Sequence, residues 1–154
     1  MALSPGVGRS LDYARRMGFL ADFYAASDDT TAVTYQEQPD RFELVVQTRR
    51  ISDVELASLF VLLRGETDPP APFLGTTILV VDHGEQFITR LPSDFVALLA
   101  AASDDRLGEV AVGWSQTDEI RMTPSALVDL LRPLRRLCTA CLDKDLQLYL
   151  WNSI

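Results

Sequence analysis

The sequence predicts an α+β (or α/β) fold: a single domain with a mainly antiparallel five-stranded sheet and helices packed mostly on one face. Three observations lead there. The C-terminal stretch joins a clear amphipathic helix to a clear strand through a tight turn. Helical and alternating hydrophobic patterns follow one another in mixed order along the chain. A length of 154 residues, 47% hydrophobic and 23% charged, suits one globular unit with a continuous core and no need of metal or disulfide.

Residues 1–10 carry Pro5, Gly6 and Gly8 without periodicity, so residues 1–16 are expected to be a weakly ordered N-terminal extension and 17–154 the globular domain. Phe19 to Ala25 alternates as a first strand, with Phe19, Ala21 and Phe23 on one face and Leu20, Asp22 and Tyr24 on the other. Ser27 to Gln36 has polar caps but three threonines, which fits a short helix of mediocre propensity. After a turn at Pro39 and Asp40, Phe42 to Thr48 reads as a half-buried strand. There Phe42, Leu44 and Val46 face opposite to Glu43, Val45 and Gln47.

Ser52 and Glu55 make a capping box, and Leu56, Leu59, Phe60 and Leu63 follow at helical spacing until Gly65 ends the helix. From Glu66 to Gly75, Pro69, Pro70 and Pro72 forbid a helix interior and favour a stiff extended connector. Thr77 to Val81 and Gln86 to Leu91 flank Asp82-His-Gly-Glu85 as an antiparallel hairpin, because glycine accepts positive φ in a tight turn. Pro92 and Ser93 open a helix to about Ala102. Arg106 to Glu119 fits helix through Leu107, Val110, Ala111 and Trp114, and strand through Val110, Val112 and Trp114. Helix is the reading adopted, against Gly108 and Gly113.

The last helix begins with Thr123 as N-cap and Pro124 in its first turn. It presents Leu127, Leu130, Leu131, Leu134, Cys138 and Cys141 as one apolar stripe, with Pro133 expected to kink it. The turn Asp143-Lys-Asp145 leads into Leu146 to Asn152, where Leu146, Leu148 and Leu150 alternate with Gln147, Tyr149 and Trp151.

Charge excludes several functions. With 14 basic and 22 acidic residues the net charge is -8, which repels phosphate backbones and anionic membrane surfaces, so neither nucleic acid nor membrane is an expected partner. Lys144 is the one lysine, a skew that fits codon bias in a GC-rich bacterial genome. No apolar run is long enough to span a bilayer and the first ten residues show no secretory hydrophobic region, so a cytoplasmic location with reduced cysteines is expected.

No catalytic residue, cofactor or metal is expected either, and the balance leans against an enzyme. Cys138 and Cys141 have the spacing of half a zinc site or a redox couple. The chain offers only one histidine and no further cysteine to complete a site, and the pair sits toward a helix C-terminus, so core filling is the preferred reading. His83 falls at a hairpin apex where nothing desolvates it. Asp28-Asp29, Asp104-Asp105 and Asp118-Glu119 lie where helices begin or end, and capping accounts for them. Arg132, Arg135 and Arg136 read as a solvated helix face. Phosphate loops, dinucleotide glycine fingerprints, nucleophile elbows and metalloprotease motifs are all absent from the sequence.

The remaining candidate is the strand face opposite the leucines, which collects Asp22, Tyr24, Glu43, Gln47, Tyr149 and Trp151. Aromatic rings among charges are the usual composition of a recognition surface. The expected function is a small acidic bacterial protein–protein interaction module, an inhibitor or immunity-type neutraliser of a basic partner, working through this face. Two alternatives stand beside it: a small-molecule-binding domain or modest enzyme with a carboxylate and tyrosine pocket, and a homodimeric protein of no catalytic activity. A third layer of structure over the same rings would instead make them core.

Overall fold

The computed structural model of this chain describes residues 20–65 and 75–154. Five strands form one sheet: β1 (Leu20–Ala26), β2 (Val45–Arg49), β3 (Thr76–Val81), β4 (Gln86–Arg90) and β5 (Gln147–Ser153). Their order is β2-β1-β5-β4-β3, and every neighbouring pair is antiparallel. The C-terminal strand therefore lies at the centre, which explains why β5 is apolar on both faces. Among the described residues five helices pack with this sheet in an α+β arrangement: α1 (Asp29–Ala32), α2 (Asp53–Arg64), α3 (Ser93–Ala101), α4 (Asp104–Ser115) and α5 (Pro124–Lys144). Short 3-10 turns occur at Val33–Gln36, Pro39–Arg41 and Asp82–Gly84.

Local chemistry sets the helix ends. The Ser52 hydroxyl accepts from the Val54 N–H and donates to Glu55, closing the capping box of α2, and Gly65 stops that helix in the left-handed region at φ 74°. Ser103 and Thr123 cap α4 and α5 in the same manner. Helix α5 runs unbroken past Pro133 to Asp145, whose left-handed backbone (φ 54°) reverses the chain into β5. The hairpin between β3 and β4 turns through Asp82, His83 and Gly84, all at positive φ.

Helices α2 to α5 cover one face of the sheet. Ala21, Phe23, Leu148 and Leu150 point into them, meeting Leu56, Leu59, Phe95, Leu107, Trp114, Leu127 and Leu131 in the main core. The segment readable as helix or strand is α4. Its Leu107, Val110, Ala111 and Trp114 are buried at helical spacing. Gly113 has a packing role there, because a Cβ at that position would meet Leu62 Cδ2 at 2.9 Å, so the missing side chain lets α2 and α4 approach. Cys138 and Cys141 are buried free thiols in this core, and burial pushes both away from ionisation, Cys141 up to about 11. They fill space.

A second, smaller core lies on the opposite face, where α1 and the 3-10 turns between β1 and β2 lie across the strands. One side-chain assignment changes as a result. Phe42 belongs to this second core and not to the face of Val46, because the 3-10 turn at Pro39–Arg41 delays β2 until Val45, and the alternation does not reach back to Phe42. The expected extension at 1–16, Phe19 and the Pro-rich stretch 66–74 lie outside the described residues. Among those described, no helix is long and apolar enough to cross a membrane.

Candidate functional site

Strand register brings most of the sequence-predicted face together. One rung across the sheet runs Gln47, Asp22, Trp151, Ile88, Leu79, and the next runs Val45, Tyr24, Tyr149, Arg90, Thr76. Paired residues share a face, so Asp22, Tyr24, Gln47, Tyr149 and Trp151 form one patch. Glu43 does not join it. It precedes β2 and is exposed beside Arg41 and Lys144, on the wall of an open cavity of about 630 Å³.

That patch is not open to solvent, which corrects the expectation of a free aromatic surface. Asp22, Tyr24 and Tyr149 are fully buried and Trp151 is 7% exposed. The cover is the segment Asp28 to Phe42, and Tyr35 is its plug. The Tyr35 ring stacks on Tyr24 at 4.2 Å, lies 6.0 Å from Trp151, and its hydroxyl donates to Asp22 Oδ2 at 2.7 Å. Phe42 closes edge-on against both tyrosines at 5.1 and 5.3 Å. Neighbouring polar groups are satisfied within the patch: the Tyr24 hydroxyl donates to the Ala32 carbonyl, and the Trp151 indole N–H to Gln86 Oε1. The Gln47 amide nitrogen is enclosed without a hydrogen-bond partner.

At the rim, Asp29 fastens the cover to the sheet. Its carboxylate accepts from the Tyr149 hydroxyl at 2.7 Å and from the Arg90 guanidinium. These two bonds, the tyrosine first, hold the Asp29 carboxyl below the ordinary aspartate range, while burial and then the Asp29 bond push the Tyr149 phenol above its own. A depressed carboxylate pKa stabilises the fold fully above the unfolded value near 3.8, and this contribution is lost as pH falls through the lower folded value. Asp29→Asn is therefore expected to lower the melting temperature at neutral pH and to flatten its decline below the ordinary aspartate value. Thermal scans of both proteins across acid pH check this.

Elsewhere, three polar residues singled out in the sequence hold the fold together. Asp28 caps α1, Asp104 pairs with Arg135 at 2.7 Å, and Arg135 also donates to the Ala102 carbonyl, tying the α3–α4 junction to α5. Arg135 thus leaves the row expected with Arg132 and Arg136. No group of three metal-ligating side chains occurs among the described residues.

Sequence periodicity does not point to the edge position of β3, which follows from the strand order. It is the last strand on its side, and its outer edge pairs with no described strand. Its sequence Thr-Thr-Ile-Leu-Val-Val has no charge and no proline. Val80 is 58% exposed, Thr76 and Thr77 are exposed, and the ladder to β4 is irregular between Thr77 and Leu79. Such an edge carries free backbone donors and acceptors beside apolar side chains. No protein-family model, curated protein or solved structure matches this chain.

Proposed function

We propose that this chain is a cytoplasmic protein-binding module that captures an extended segment of a basic partner by strand addition at β3. The observation that carries the reading is the outer edge of a β-prone, uncharged strand that no described strand pairs with, in a domain whose aromatic face is occupied by its own segment. Backbone pairing would supply affinity and alternate side chains specificity. The net charge of -8 selects the occupant: it attracts a basic segment over the range of the Debye length, whereas two copies of the chain repel each other. An inhibitor or neutraliser is the simplest role for such a module.

A display library of extended peptides provides the test. Binders are expected to be enriched in Lys and Arg and to shift the backbone amide resonances of residues 76–81. Val80→Lys is expected to leave stability within about 0.5 kcal/mol, since the side chain is already exposed, and to weaken peptide binding about tenfold or more. Selection of acidic or neutral binders, shifts confined to other strands, or a stable dimer of the purified chain paired through β3 would each overturn the reading.

A further inference from the structure

We propose that the cleft between the end of β2 and the connector from α4 to α5 binds the phosphate group of a small phosphorylated molecule. Three arginines converge there from two distant parts of the chain. Arg49 ends β2, Arg50 follows it in the left-handed region at φ 62°, and Arg121 arrives from the connector; together they line one cavity of about 350 Å³. The register opposite Leu20 and Ser153 places Arg49 at the corner of the sheet.

The partners these arginines lack are as informative as their positions. Arg90, Arg106 and Arg135 are spent on Asp29, the Leu62 carbonyl and Asp104. The side chains of Arg49, Arg50 and Arg121 make no hydrogen bond or ion pair with any described residue, in a chain with eight more acids than bases. Carboxylates are at hand, since Glu55 and Glu119 line the same cleft, yet Glu55 accepts from the Ser52 hydroxyl at 2.9 Å and Glu119 from the Ser58 hydroxyl at 3.3 Å. Three arginines therefore line the cavity with no side-chain partner among the described residues.

Guanidinium forks match the oxygens of a phosphate, and a dianion offsets the mutual repulsion of three cations. The two glutamates restrict what else can enter. They bring the cleft to a formal charge near +1 and would repel a long polyanion, so a single phosphate group fits and a nucleic-acid backbone does not. Ile120, 6% exposed, and Met122, 37% exposed, supply an apolar wall for the rest of the molecule.

Titration calorimetry of the whole chain with inorganic phosphate and with phenyl phosphate tests this. Saturable one-site binding is expected, on the order of 1 mM for phosphate and tighter for the phenyl ester. Arg121→Gln should weaken both about tenfold or more, and Glu119→Gln should tighten both, since charge-assisted hydrogen bonds gain and like-charge repulsion costs that much. Arg136→Gln, an exposed helix arginine remote in sequence from the cleft, should change neither. All three side chains replaced here are exposed, so loss of folding does not confuse the result. Absence of saturation, equal weakening by Arg136→Gln, or indifference to Glu119→Gln overturns the proposal.

Discussion

Tyr35→Ala is expected to destabilise the domain by about 3–5 kcal/mol, the range for removing a large buried aromatic side chain. Tyr35 is 1% exposed and touches the second core on three sides, stacked on Tyr24, edge-on to Phe42 and tilted against Trp151. Its loss should open a void above Trp151, since the backbone of the covering segment is tied down at Asp29 and cannot settle fully into the gap. The hydroxyl contributes separately. It donates to Asp22, a fully buried carboxyl group, so Tyr35→Phe should cost about 1–3 kcal/mol with the packing intact. Urea denaturation of the two variants separates packing from hydrogen bonding, and a red-shifted indole emission in Tyr35→Ala alone would report water reaching Trp151. A loss below about 1 kcal/mol for Tyr35→Ala would mean that the segment from Asp28 to Phe42 lies on the sheet without sealing it.

Those residues also mark the limit of what the chain reveals before it folds. Helices α2 and α5 and the β3–β4 hairpin were legible because their signals are local: a capping box, a Thr-Pro start, glycine beyond a helix end, alternation on either side of a turn. The α+β class follows from their order. The aromatic patch was legible in membership, since alternation alone puts Asp22 and Tyr24 on one side of β1, and Tyr149 and Trp151 on one side of β5. Its burial was not. Tyr35 lies in a 3-10 turn among threonines, with no apolar neighbour at helical or strand spacing, so no periodic signal identifies it as a plug. The same turn chemistry displaced Phe42 from the face its position in an alternating run implied. Strand order, and with it the exposure of β3 and the meeting of Arg49 and Arg50 with Arg121, depends on pairings between remote segments that no local pattern encodes.

One consequence is a division of labour between the two faces. On the helical side the packing is deep and mainly apolar, with a few buried polar groups such as Asn152, whose amide nitrogen donates to the Leu20 and Ile51 carbonyls. On the other side a thin cover is held by stacked rings and a few buried or rim hydrogen bonds, and its first residue, Asp28, is exposed to solvent. The helical half positions the sheet, and the two proposed binding sites lie at its margins, the edge of β3 and the corner at Arg49.

Trp114→Ala is expected to have the largest effect on the main core, again about 3–5 kcal/mol, and to act through a different route. Trp114 is fully buried on α4, and its indole N–H donates to the Glu55 carbonyl at 3.1 Å, joining α4 to the first turn of α2. Gly113 beside it brings the two helices together against Leu62, so the ring fills a space that the surrounding backbone cannot shrink without driving α4 into α2. Trp114→Phe should keep most of the packing and lose only the bond to Glu55, at about 1–2 kcal/mol. The pair of variants also reports on function. Glu55 lines the arginine cleft, so a shift of α2 should change the affinity for phosphate in Trp114→Ala, measured under conditions where the variant remains folded, and leave it nearly unchanged in Trp114→Phe. Denaturation midpoints give the first comparison and calorimetric titration the second. If both variants bind phosphate as the parent does, the position of α2 is not what shapes the cleft, and its walls are set by β2 and the connector alone.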